Sequence, residues 1–352
     1  MKKTVLFIHG AGDGAYEEDR LLVASLQITL GLVYDVRYPK MVNEESQEYA
    51  DMQPNCPRQP FERSMGVGIN SGTIWRILPV TYKRINIMTE SPTNHSSQNN
   101  QDRYASVNDL NMYYEIHGRG EPLVMLHGAF ATAGMFFALL PELAQTRQVI
   151  LVEQQGHGHT ADINRPLSFA QMADDTVELL RQLGVKQADI FGYSGGGSVA
   201  LQIAIRHPEA VRMLALASTV YDTNGYYPFI VEGLRHPSPD GFPPEVRQEY
   251  EKVAPHPEDW ANLVYKSADM FNQPARADLL DPSQLQAITA PALLVVGDQD
   301  IIQPDYATEM AKYLHTQLVT VPGDHASYIV EQPGPLIAQL KTFFKFADND
   351  EL

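Results

Sequence analysis

Cysteine is nearly missing from this chain. Cys56 is the only one in 352 residues, so an internal disulfide is impossible and a thiolate metal cluster has no ligands to use. Long apolar runs are also missing, and nothing approaches the roughly 20 residues that a membrane helix needs. Lys2 and Lys3 precede apolar residues in the manner of a signal peptide, but residues 5–8 are too short for its apolar core and run into His9-Gly10. A cytoplasmic protein with no membrane partner is the expectation. Basic residues are few: 26 Lys and Arg face 43 Asp and Glu, for a formal net charge of −17. Nucleic-acid binding depends on Lys and Arg neutralising phosphates, which excludes that class of partner. The same charge disfavours anionic substrates and suits neutral or cationic ones.

Composition divides the chain near residue 103. Residues 1–50 read as strand, helix, strand, over about 4–9, 16–30 and 32–38. Residues 51–103 form an irregular segment and linker, with Pro54, Pro57 and Pro60 followed by a polar, turn-rich run from Ser91 to Gln101. From Tyr104 the order becomes regular. A hairpin is expected across Asn108-Asp109, then strands at 123–126, 149–152, 188–191, 211–217, 292–296 and 318–321. The helices expected between and after them lie at 133–144, 168–183, 196–207, 306–314 and 334–346. Ser168 and Gln171 have the spacing of a capping box. Strands alternating with helices predict an α/β domain over 104–348, with a mostly parallel sheet covered on both faces. The interval at about 218–290 breaks the rhythm and is rich in proline and aromatics. It reads as a cap, with helical stretches at 244–253 and 257–270.

The chemistry centres on Gly192-Tyr193-Ser194-Gly195-Gly196, which follows the strand at 188–191 and opens a helix. A sharp strand-to-helix turn presents the central Ser194 hydroxyl at a helix N-terminus, and the close backbone approach admits only glycine two residues before and after. A serine needs a base, and His325 in VPGDHASY is the candidate; His207 and His236 are poorer ones. The base needs an acid, and LLVVGDQDIIQP offers Asp300, with Asp298 in reserve. The two backbone donors for an oxyanion are expected at Gly195 and Ala129. Phe130, Met135, Phe136, Tyr193, Tyr221 and Trp260 are the expected apolar lining for substrate. No cofactor or metal is called for, and no oligomeric state is implied.

An apolar run ending in His-Gly occurs twice, in VLFIHGAG (5–12) and LVMLHGAF (123–130). The first has no partner elbow: in Glu62-Arg63-Ser64-Met65-Gly66, Glu stands where the first glycine is required. One site is therefore expected.

LHGAF, GHGHT, GYSGGG, GDQDIIQP and PGDHAS stand in the order of the α/β-hydrolase superfamily, which residues 104–346 resemble. The resemblance implies an α/β-hydrolase fold with a helical cap. It also implies a carboxylic ester hydrolase working through an acyl-enzyme on Ser194, with small-molecule esters as partners. More narrowly, this part resembles integron-cassette esterases of the macrolide esterase type, which implies opening of a macrolactone ring. One departure is visible: the loop after the strand at 149–152 begins with Glu153, where the superfamily usually has Asp. Residues 1–50 resemble a truncated β-α-β fragment of a second hydrolase.

Overall fold

A computed structural model describes residues 3–6, 34–37, 103–272, 275 and 278–348. Two short strands, β1 (Lys3–Leu6) and β2 (Tyr34–Arg37), pair in parallel as a sheet of their own, at two of the positions where strands were expected. The helix expected at 16–30, the first His-Gly and the linker at 51–102 lie outside the described residues.

The main sheet begins with the hairpin β3 (Arg103–Val107) and β4 (Leu110–His117). Asn108 and Asp109 both have positive φ, 46° and 66°, the tight turn whose twist matches the flanking strands. Then follow β5 (Glu121–Leu126), α1 (Leu140–Leu143), β6 (Arg147–Val152), α2 (Phe169–Gln182), β7 (Ala188–Tyr193), α3 (Gly195–Arg206) and β8 (Val211–Ala217). Four helices fill the interval before the next strand: α4 (Pro228–Arg235), α5 (Pro244–Val253), α6 (Trp260–Asn272) and α7 (Pro282–Gln286). The chain closes with β9 (Ala292–Gln299), α8 (Pro304–Tyr313), β10 (Leu318–Asp324), α9 (Ser327–Val330) and α10 (Gly334–Asp348). The strand order is β10-β9-β8-β7-β5-β6-β4-β3. All pairings from β5 to β10 are parallel, and only the β3-β4-β6 edge is antiparallel. This is the α/β-hydrolase fold expected from the sequence.

The side-chain period of two explains the layering. In β5, Val124 and Leu126 pack with α2 and α3 on one face, while Leu123 and Met125 pack with Leu336, Leu340 and Phe344 of α10 on the other. Both faces are buried, as a parallel sheet requires. Two local expectations are corrected. The helix at 133–144 is instead a 3-10 turn over Ala133–Phe136 and the short α1, because Pro141 opens α1 and has no N–H to continue an earlier helix. The capping box at α2 is half formed. Ser168 accepts the Gln171 N–H at 3.2 Å, but the Gln171 amide turns to Asp175. Among the described residues no helix is long and apolar enough to cross a membrane.

A buried charge cluster ties α10 to the sheet. Asp189, fully buried, accepts from Arg147 Nη1 at 3.0 Å and from Arg212 Nη2 at 2.6 Å, and Arg147 Nη2 donates to Phe344 O at 2.6 Å. Removing the carboxylate strands a guanidinium in the core. Asp189→Ala should therefore cost about 3–5 kcal/mol in chemical denaturation, and a loss under about 1 kcal/mol would contradict this account.

Candidate active site

The turn between β7 and α3 holds Ser194 at φ 51°, ψ −120°, a conformation that side chains rarely adopt. Its N–H donates to Ala217 O of β8 at 2.8 Å, which fastens the turn to the neighbouring strand. Two glycines make this possible. A Cβ on Gly192 would lie 2.5 Å from Gly196 O, and one on Gly196 would lie 2.2 Å from Leu126 O. α3 can start this close to β5 only without those side chains.

Three predicted side chains meet here. His325, just past β10, has Nε2 3.1 Å from Ser194 Oγ and Nδ1 2.7 Å from Asp300 Oδ1. Tyr193 donates its hydroxyl to His325 O at 2.7 Å, so the residue before the serine also fixes the imidazole's backbone. The Asp300 side chain is 2% exposed. Its Oδ1 also accepts Ile301 N–H at 2.7 Å, and its Oδ2 accepts Gly297 N–H at 3.1 Å and the Ser218 hydroxyl. Burial opposes the charge. The facing His325, through its charge and its hydrogen bond, and the donors Ser218 and Gly297 outweigh burial, so the carboxyl lies below its ordinary range. Asp298, the reserve, is exposed and accepts the Gly323 N–H at 2.9 Å, bridging the ends of β9 and β10. The other two histidines lie elsewhere: His207 pairs with Asp174 and His236 with Glu232.

The expected donor pair is also brought together. A Cβ on Gly195 would be 3.2 Å from Ala129 N, and neither the Ala129 nor the Gly195 N–H forms a hydrogen bond among the described residues. The second His-Gly explains the shape of this turn. His127, buried, donates Nδ1–H to Gly128 O at 2.8 Å and accepts Gln154 N–H on Nε2 at 3.1 Å. That pairing leaves the imidazole neutral, and burial lowers its pKa in the same sense. Glu153, 1% exposed, accepts the N–H groups of Ala133 at 2.9 Å and His159 at 2.6 Å. It thus ties the turn around Ala129 to the GHGHT loop, and its extra methylene over Asp is accommodated because Gly158 leaves its space to the carboxylate. His157 and His159 turn to Gln155 O and Glu153, respectively.

The expected lining divides. Phe130, with φ 63°, packs 4.6 Å from Phe242 and 6.2 Å from Trp260, centroid to centroid, under the cap. Trp260 is 1% exposed, its indole N–H donates to Pro239 O at 2.9 Å, and it props Phe130 and Phe242 as packing. Phe136 does not reach the site. It is fully buried against Phe191 on the α10 side of the sheet, and Met135 packs in the same layer. Tyr221 stacks on Tyr306 at 5.0 Å, beside Tyr313. Tyr226 carries no assignment from the sequence, yet it is buried with its hydroxyl against the Ser194 side chain, and burial raises its pKa. Nothing in the pattern distinguished it from the other cap aromatics. Its place comes from a bridge between Tyr226 and Ile302, two residues past Asp300.

The family model for the alpha/beta hydrolase fold matches residues 121–332, and the chain belongs to that family. It is 32% identical over 215 residues to a pimeloyl-[acyl-carrier protein] methyl ester esterase of Neisseria meningitidis serogroup B, covering 55% of this chain and 79% of that one. It is 42% identical over 107 residues to a 2-hydroxymuconate semialdehyde hydrolase of Pseudomonas sp. strain CF600, covering 28% of this chain and 36% of the relative's length. In fold it resembles a thermophilic esterase from Thermogutta terrifontis, with TM-score 0.55, 22% identity, and coverage of 70% of this chain and 98% of that one.

The backbone at Ser194 stores energy, of order 1–3 kcal/mol for such a conformation. Glycine there relieves it at some entropic cost, so Ser194→Gly should raise unfolding free energy by about 1 kcal/mol over Ser194→Ala. Equal stability of the two variants would show that the turn is unstrained.

Proposed function

We propose that this hydrolase is a serine carboxylic ester hydrolase with Ser194 as nucleophile, His325 as base and Asp300 as the acid that orients it. The observation that carries the reading is the unbroken row Asp300–His325–Ser194, at 2.7 and 3.1 Å, beside two backbone N–H groups that donate to nothing among the described residues. Ser194 Oγ adds to the ester carbonyl as its proton passes to His325 Nε2. The oxyanion is met by the N–H groups of Ala129 and Gly195. Collapse breaks the C–O bond, and the leaving alkoxide takes the proton from His325. Water then adds to the acyl-enzyme with His325 as base, and the carboxylic acid leaves.

For substrate we favour a large lactone, the macrolide class. Supporting this are the resemblance to macrolide esterases, the aromatic roof of Phe130 and Phe242 propped by Trp260, and the net charge of −17, which does not repel a cationic amino sugar. In a lactone the acyl and alkoxide ends stay on one molecule, so hydrolysis adds one water and releases a linear hydroxy acid. A cytoplasmic location fits this reading, as do the sparse cysteines.

Asp300→Asn should lower kcat by about 10⁴, while Asp298→Asn should remain within about tenfold of the unaltered protein. Steady-state kinetics on p-nitrophenyl acetate measures both, and the reverse ranking would overturn the assignment. For substrate, purified protein incubated with a panel of macrolides should convert at least one to a product heavier by one water. Brisk turnover of short esters with every macrolide unchanged would reduce the reading to a general carboxylesterase. No turnover of either would leave a ligand-binding protein.

A further inference from the structure

Ser218, the residue after β8, holds a conformation that a serine avoids. Its φ is 49° and its side chain is fully buried. It follows Ala217, whose carbonyl holds the backbone of Ser194, and its own N–H donates to Val295 O at 2.9 Å. Its hydroxyl has two partners: Asp300 Oδ2, and the hydroxyl of Tyr328 at 2.5 Å. Tyr328, from α9, is fully buried, and Ser218 is the partner its hydroxyl finds there.

Hydrogen inventory fixes the direction. A carboxylate only accepts, and a serine hydroxyl has one proton to give. Ser218 therefore donates to Asp300 and must accept from Tyr328. We propose that Ser218 and Tyr328 form a two-hydroxyl chain that positions Asp300 and sets the pH at which the His325–Asp300 pair becomes a base. The inference rests on the hydrolase reading above.

Both residues act through Asp300 and are positioning residues. Glycine would hold the backbone of position 218 without strain, so what serine adds there is its hydroxyl. With Ser218 and Gly297 on Oδ2, and His325 and Ile301 on Oδ1, the charge is held by four donors in a site nearly closed to water. The other titratable groups around the carboxylate cannot substitute. Tyr193 is committed to His325 O, Tyr226 lies against Ser194, Asp298 accepts from Gly323, and Asp324 accepts from Ala326 and Ser327. Burial and the charge of Asp300 keep Tyr328 protonated, as the chain requires.

The sign of the effect follows. Without the hydroxyl the carboxylate is a stronger proton acceptor, so the pair keeps its proton to higher pH. Ser218→Ala should lower kcat about tenfold with KM little changed, and should move the acid limb of the kcat/KM profile to higher pH. Tyr328→Phe should shift both in the same direction by less. The double variant should lose no more than Ser218→Ala, because Tyr328 acts only through Ser218. Ser218→Gly should melt above Ser218→Ala, because both lack the hydroxyl and only glycine relieves the backbone, while keeping the kinetic defect. Additive losses, or an acid limb unmoved in Ser218→Ala, would overturn the proposal. Titration of the downfield His325 Nδ1 proton by NMR reads the pair without turnover. It should show the same upward shift, and no shift would count against the chain. Were Ser194→Ala to remain active, the hydrolase reading would fail while this titration still judged the chain.

Discussion

Ser194 keeps its left-handed backbone because its surroundings give it no other. Ala217 O takes its N–H from one side, and from the other the start of α3 lies so near Leu126 O that Gly196 can carry no Cβ. The placement of the rest follows. With α3 seated at this depth, its N-terminal Gly195 comes beside Ala129, and the hydroxyl at its head faces His325 Nε2. The helix dipole then favours negative charge where an oxyanion would form. A less crowded turn would relieve the strain and lose the alignment.

Around this turn many buried polar groups are paired, and among the described residues few buried side-chain atoms lack a partner, Gln154 Oε1 and His157 Nε2 among them. His127, Gln154 and Glu153 shape the turn around Ala129. Tyr193 and Asp300 hold His325 by its carbonyl and its ring. Unpaired, each group would cost roughly 1–3 kcal/mol on burial; paired, they make a site that need not reorganise as charge develops. The cap is tied on by charge as well as by packing: Lys266 of α6 reaches both oxygens of Asp162, at 2.8 and 2.7 Å.

Much of this could be read from the chain. The elbow was legible because glycine at two fixed offsets has a steric cause, and the parallel strands because runs such as Leu123 to Leu126 are apolar at every position. Asp300 and Asp298 are hard to tell apart in the sequence, since they stand two residues apart at the carboxyl end of β9; which of them faces inward depends on the turn after Gly297. Phe136 lies away from the site, in the core beneath the last helix. Its nearness in sequence to Ala129 says nothing of the face on which a 3-10 turn presents it. Tyr226, Ser218 and Tyr328 gave no signal. Their roles come from contacts between residues as many as 110 positions apart, and a hydroxyl among many hydroxyls has no periodicity to reveal it. Glu153 stands out in the sequence as a departure, but its double grip on Ala133 and His159 exists only in the folded loop.

The central claim is that Ser194 becomes acylated. The most direct measurement is rapid quenching of the protein with p-nitrophenyl acetate at low pH, followed by peptide mass spectrometry. A burst of p-nitrophenol approaching one equivalent is expected, with an added acetyl group on the peptide that contains Ser194. Burst and adduct should both be lost in His325→Ala. Turnover without any adduct, or an adduct on another residue that tracks the burst, would contradict it.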